Sequence, residues 1–239
     1  MAAWVVFGLV MLVILAGLLW TNRATINGWF EGAPPAEGNP LLPASEAEVA
    51  RAEQLLADLQ VVAAHDWASD YRRDAFGPTW ADTDANGCNQ RDDVLHRDVL
   101  RTEPFTAARQ WSCDHDMVAG TWRDAYTGEL ITLSDAKAPD QAQSLQIDHL
   151  VALSVAWRDG ADAWDDTQRL AFANDLRNLA PVAAATNKAK GGSDAAAWRP
   201  VRQAECGYAV RYITVKSDYS LVVDRVEKRA LVDMLATCR

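Results

Sequence analysis

Apolar residues change their spacing several times along the chain, and each change marks an element. Residues 2–20, AAWVVFGLVMLVILAGLLW, are apolar throughout and carry no charge. A helix of about 20 such residues spans a bilayer. The run lacks a basic start and no A-x-A site follows it, which separates it from a cleavable leader. The reading is a single-pass signal anchor over residues 1–30, with Trp20 and Trp29 at the membrane interface. A cleaved signal peptide is the alternative. Residues 31–44 hold four of the nine prolines and read as an extended linker.

Residues 45–239 carry the shorter periods of a folded domain. Ser45 with Glu48 three residues on is a capping box. Val49, Leu55, Leu56, Leu59 and Val62 follow it at helical spacing. Residues 76–100 begin as a turn-rich loop and become helical near Asp92, with Val94, Leu95 and Val99 on one face. MVAGTWRDAYTGELITL (117–133) predicts a hairpin turning at Thr127-Gly128. SLQIDHL (144–150) predicts a strand, 151–175 a helical stretch broken at Gly160, and NLAPV (178–182) another strand. AAATNKAK (183–190) predicts a short helix ended by Gly191-Gly192. YAVRYITVKSDYSLVVD (208–224) predicts a two-stranded hairpin, and a last helix carries Leu231, Met234 and Leu235 on one face. The class is α+β.

Composition adds three constraints. Ten tryptophans predict a well-packed body. The four cysteines form no CxxC pair, which excludes the usual structural zinc sites. Their clustering favours Cys88 with Cys113 and Cys206 with Cys238, the alternative being four free thiols. Paired cysteines place the body in an oxidising compartment. Arg23, the basic residue nearest the apolar run, pulls the orientation the other way; the cysteines are followed here. The formal charge of −10 excludes a broad, non-specific coat on nucleic acid. It leaves room for a local basic site, and the window 169–202 offers one: Arg169, Arg177, Lys188, Lys190, Arg199 and Arg202 against Asp175 and Asp194. The acidic DTDANG (82–87) has the start of a calcium loop, but its twelfth position is Asp93 rather than the bidentate glutamate, so a solvated loop is expected. CDHD around His115 is expected to be a loop beside a disulfide. His65 and His96 lack matching partners in the sequence. Arg91 and Arg97 are expected on the surface of their helix.

One pair is out of place. Asp148 and His149 lie side by side in an apolar strand. Asn178 follows just before the next strand, and Asn187 and Lys190 follow one turn apart on the next helix. With IDHLVALSVAW, FANDLRNLAPV, NKAKGGSDAAAWRP and GTWRDAYTG, this order resembles the HNH, or ββα-metal, endonucleases of the GmrSD C-terminal type, over roughly residues 65–239. The resemblance implies a ββα-metal core with a helical insertion and flanking hairpins, here preceded by one transmembrane helix. It implies a strand that ends at the Asp-His pair and cleavage that leaves 5′-phosphate and 3′-hydroxyl ends. It also implies that the middle asparagine fixes the loop that orients the histidine; Asn178 fits that place and Asn174 is the alternative. The last position is Asn187 rather than histidine, which lowers the appeal of zinc and nickel.

The chemistry fits those residue types. A histidine titrates near neutrality and can take a proton from water, which makes His149 the candidate base. Oxygens from a carboxylate and an amide suit a hard cation, which makes Asp148 and Asn187 candidate ligands for Mg2+ or Mn2+. Lys190 shares a helix face with Asn187 and is a candidate phosphate contact. Taken singly, an Asp-His pair is commonly structural, Asn178 a turn residue and Asn187 a surface or cap residue; the ordered set carries the reading. The expected function is a membrane-anchored, extracytoplasmic endonuclease acting on DNA, with RNA left open and little sequence preference. No obligate protein partner is indicated. The alternatives are a non-catalytic envelope binding module on the same scaffold and a nuclease facing the cytoplasm.

Overall fold

The computed structural model describes residues 44–63 and 70–239. These belong to one unit, and the expected anchor, the linker and His65 lie outside them. Among the described residues no helix is long and apolar enough to cross a membrane. Helix α1 (Glu46–Asp58) starts on the expected capping box: Ser45 Oγ accepts from the Glu48 amide, and the Glu48 carboxylate takes the Ser45 N–H at 2.7 Å. Ala52 and Leu56 of α1 face the core. Strand β1 (Val61–Val62) is short. A single 3-10 turn, Arg73–Phe76, buries Phe76. Helix α2 (Gln90–Asp98) is capped by Asn89, whose side chain accepts from the Arg91 and Asp92 amides.

Strands β2 (Thr106–Gln110), β3 (Cys113–Arg123) and β4 (Leu130–Leu133) form an antiparallel sheet in that order. The hairpin of β3 and β4 is the one predicted at Thr127-Gly128. Strand β2 was not predicted, because every residue in it is exposed and no alternation marks it. Strands β5 (Leu145–His149) and β6 (Leu179–Ala183) make a separate antiparallel ribbon, Leu145 opposite Ala183 and His149 opposite Leu179. Between them run α3 (Leu153–Arg158) and α4 (Asp166–Ala173), interrupted at Gly160 as expected. Helix α5 (Ala184–Lys190) follows β6 directly and ends at Gly191, whose φ of +53° is left-handed. The chain closes with α6 (Arg202–Asp218), β7 (Val223–Asp224) and α7 (Arg225–Leu235). Strand β7 pairs parallel with β1, joining the two ends of the domain.

The ribbon lies between two cores. One is helical and takes Ala180 and Val182 from β6; the other, under α2 and β3, takes Leu145, Ile147 and Leu179. Trp122 is fully buried in the second, its indole N–H donating to the Leu95 carbonyl at 2.8 Å. The period of two along β5 therefore sends Gln146 and Asp148 to one side and His149 to the other.

Four expectations need correction. CDHD around His115 begins strand β3 rather than forming a loop. The hairpin expected over 208–224 is mostly helix α6. Tyr208, Val210, Tyr212, Ile213 and Val215 favour strands by type, but α6 is buried on nearly all sides, so no polar stripe betrays its helical period. The basic window is largely spent internally. Arg169 donates to the Ala75, Ala161 and Trp164 carbonyls, Arg177 pairs with Asp175 and Asp218, and Lys190 with Asp148. Arg91 and Arg97 are not helix-surface groups: they donate to the carbonyls of Leu145, Leu176 and Leu179 and so fasten α2 to the ribbon.

All four cysteines are paired, Cys88–Cys113 and Cys206–Cys238, which rules out free thiols. They close loops with separations of 25 and 32 residues. In the chain-entropy picture each contributes about 3.5 kcal/mol.

Candidate active site

The first two strands of the site pair with each other, and the third element, α5, crosses the face of β5 that carries Gln146 and Asp148. Two rungs connect them. Asn187 Nδ2 donates to Gln146 Oε1 at 2.8 Å. One turn further, Lys190 Nζ lies 2.8 Å from Asp148 Oδ2 and donates to the His149 carbonyl at 2.8 Å. Tyr126 Oη donates to the same carboxylate oxygen at 2.7 Å. Asp148 Oδ2 thus accepts from a phenol and an ammonium. Burial, reinforced by the Asp148 charge, pushes the Tyr126 hydroxyl far above its ordinary range, so it stays a donor.

Lys190 is 1% exposed, so its ammonium faces inward to the strand end and away from any phosphate in solution. Tyr126 is held in turn by Asp124, whose carboxylate accepts from the Tyr126, Thr127 and Ala183 amides. One carboxylate therefore fixes the β3–β4 turn against the β6–α5 junction.

His149 lies on the opposite face, at the last position of β5. Its Nε2 is 2.8 Å from the Ala173 carbonyl, an acceptor only, so Nε2 carries the proton and Nδ1 is bare. Burial lowers its pKa to about 4, against the Ala173 hydrogen bond and the Asp148 charge, which favour the proton. The ring is therefore neutral at pH 7 with a lone pair on Nδ1. Asn178, fully buried, bonds both backbone groups of Val151: Oδ1 accepts from its N–H at 2.8 Å and Nδ2 donates to its carbonyl at 3.2 Å. This clamps the chain two residues beyond His149.

Asn174, the alternative for that role, instead accepts from the Ala81 N–H at 3.0 Å. It thereby ties down the 73–80 segment, which lines a cleft with His149. Arg73, Phe76, Trp80, Leu153 and Asn174 share that lining. The Trp80 ring lies nearly parallel to the imidazole, centroids 6.3 Å apart. Trp80 takes a left-handed φ of +58°, a conformation costly for a bulky residue. Sequence reasoning missed Tyr126, Arg73 and Trp80. Tyr126 stood inside the quoted GTWRDAYTG, and the FGPTW turn held Trp80, but only the folded chain brings them to the pair.

The oxygens at hand suit a hard cation. Asp148 Oδ1, the Asn187 amide and Gln146 present oxygen donors, with no thiolate among them. Cys88, Cys113 and His115 also gather closely, but both sulfurs are spent in the disulfide.

A strand pair is thus followed at once by a short helix, which returns Lys190 to the acid at the end of the first strand. The chain belongs to the family described as GmrSD restriction endonucleases, C-terminal domain, whose model matches residues 90–234. It is also similar to an "Uncharacterized secreted protein" of Arthroderma benhamiae, 39% identical over 171 residues, which is 70% of this chain and 76% of the relative. No solved structure matches it.

Proposed function

We propose that the protein is a metal-dependent HNH endonuclease that hydrolyses phosphodiester bonds in DNA with little sequence preference. The observation that carries this reading is the bare Nδ1 of His149, whose ring is fixed by the Ala173 carbonyl and lines a cleft. Being neutral at pH 7, the imidazole can take the proton of the attacking water without first losing one. Asp148 and Asn187 would hold Mg2+ or Mn2+, a Lewis acid for the phosphate and the leaving oxygen, on the face of β5 opposite His149, so a phosphate served by both must lie across the end of that strand. Lys190 and Tyr126 hold the Asp148 carboxylate in place, and Asn178 holds the loop that follows His149; these three are positioning residues. The exposed Arg73 beside His149 supplies positive charge for a phosphate at the cleft.

The paired cysteines and the secreted relative support an extracytoplasmic location, with residues 2–20 as the membrane anchor. Salt washing of membranes tests the anchor: the protein stays with the membrane, and release into the wash or the medium contradicts it.

The test of activity is the full-length chain with supercoiled plasmid, in Mg2+, in Mn2+ and in EDTA. Nicking is expected with either metal and absent in EDTA. Nicking that persists both in EDTA and in His149→Ala overturns the mechanism. A binding module on the same scaffold is the second reading, favoured by the 7% exposure of His149 under Trp80. Inactivity in every divalent metal, with DNA binding retained, would select it.

A further inference from the structure

The loop between Trp80 and α2 has features that the active site does not use. DTDANGCNQRDD places oxygen-bearing side chains at loop positions one, three, five, nine and twelve: Asp82, Asp84, Asn86, Gln90 and Asp93. Position six is Gly87, with φ +91°, and a Cβ there would lie 2.7 Å from the Ser112 carbonyl oxygen. Helix α2 begins at position nine. A twelve-residue calcium loop uses these ligand positions, with glycine at six for the sharp turn.

Spacing alone carries little, since exposed acidic loops are common. Two buried atoms carry more. Gln90 is 2% exposed and Asp93 7% exposed, and Gln90 Oε1 and Asp93 Oδ2 are both buried with no hydrogen-bond partner among the described residues. A buried acceptor left unmet costs about 1–3 kcal/mol, more when charged. These two sit at positions nine and twelve, and both side chains reach into the loop. Gln90 Nε2 donates to Thr83 Oγ1 at 2.6 Å, and Asp93 Oδ1 takes Asn86 Nδ2 at 3.1 Å and lies 2.7 Å from His115 Nε2, which leaves only Oδ2 for an ion. The same Asn86 nitrogen is 3.1 Å from Asp84 Oδ2. Two carboxylates therefore converge on one neutral N–H group, while Asn86 Oδ1 accepts from the Cys88 N–H at 2.7 Å. The expected solvated loop is half right: residues 82–86 are exposed, but its twelfth residue is buried beneath it.

We infer that residues 82–93 form a calcium site, separate from the Asp148 centre. Three carboxylates and two amide oxygens make a hard, anionic donor set, and the flexible geometry of calcium tolerates it better than the strict octahedron of magnesium. The Cys88–Cys113 disulfide already fastens the loop to β3, so part of the ordering is done before the ion arrives. The loop is continuous with the strap that lines the His149 cleft, and α2 fastens the ribbon through Arg91 and Arg97. A cation here steadies both.

The test is calorimetric titration of the EDTA-stripped, buffer-exchanged full-length chain with CaCl2, beside Asp148→Asn, Asp82→Asn and Asp84→Asn. Asp82 and Asp84 are exposed, so their variants keep the fold, which a circular dichroism spectrum confirms. One site is expected, with a dissociation constant of about 10⁻⁴–10⁻³ M, the range of extracellular modules. It survives in Asp148→Asn and weakens about tenfold or more in each loop variant. Calcium also raises the Tm of wild type and Asp148→Asn but not of Asp84→Asn. Three results would overturn the site: no binding up to about 10 mM calcium, binding unchanged in the loop variants, or binding abolished by Asp148→Asn alone. Loss of plasmid nicking in His149→Ala with calcium binding intact separates this site from the proposed function.

Discussion

Two lysines are buried in this protein, each against carboxylate and phenol, and only one of them adjoins a surface. Lys216 lies 2.6 Å from both Asp159 and Glu227, with side chains 0% exposed, and Tyr212 donates to Glu227 at 2.5 Å. Arg158 extends the cluster through Asp159 and Asp194. Lys190 meets Asp148 and Tyr126 in a similar way, but the Asp148 side chain keeps 11% of its surface. The Lys216 cluster joins α6 to α7 and to the end of α3, sealed from any substrate. The Lys190 cluster adjoins the Asn187 amide on its own face of β5 and, on the other face, the His149 imidazole. Burial and ion pairing are common to both, so they do not mark the site. What separates the two clusters is the surface that Asp148 keeps and Asp159 and Glu227 lack.

The comparison breaks most sharply at Lys216. Lys216→Met leaves Glu227 without its cation and Asp159 with Arg158 alone. The expected loss is about 5 kcal/mol of stability, the upper end for a broken buried pair, read from urea denaturation. Lys190→Met leaves one carboxylate with some access to water, and about 3 kcal/mol is expected. Equal losses at the two sites would erase the distinction. Asn178→Ala strands the buried Val151 N–H and is expected to cost about 2–3 kcal/mol, with nicking reduced as the loop beyond His149 loosens. Full activity in that variant would remove Asn178 from the positioning set.

The next effect separates His149 by pH. Its folded pKa of about 4 is below the ordinary 6.5, so the unfolded chain binds the proton first as pH falls. The stability this contributes is complete above pH 6.5 and is lost as pH falls to about 4. In EDTA, wild type is expected to lose up to about 3 kcal/mol across that window that His149→Gln does not lose. Parallel pH curves for the two proteins would show an imidazole open to solvent.

Much of this was legible in local patterns. The capping box at Ser45, the strand ending in Asp148-His149, and the strand and helix around Asn187 all rest on neighbours a few residues apart. Helix α6 was not legible, because its strand-forming side chains are buried on nearly every face and tertiary packing overrides their preference. The basic window misled for a related reason: charge counted along the sequence ignores partners such as Asp218 and the Ala75 carbonyl, which arrive from distant segments. Lys190 had its place on the right helix face, yet its ammonium points inward. Tyr126, Arg73 and Trp80 reach the pair only through tertiary contacts, which no spacing announces.

The most direct measurement is the plasmid nicking rate of His149→Ala beside wild type in the same Mg2+ buffer, each checked for an unchanged circular dichroism spectrum. The account predicts a fall of about 10²–10⁴-fold in the variant. Equal rates from two equally folded proteins would contradict it.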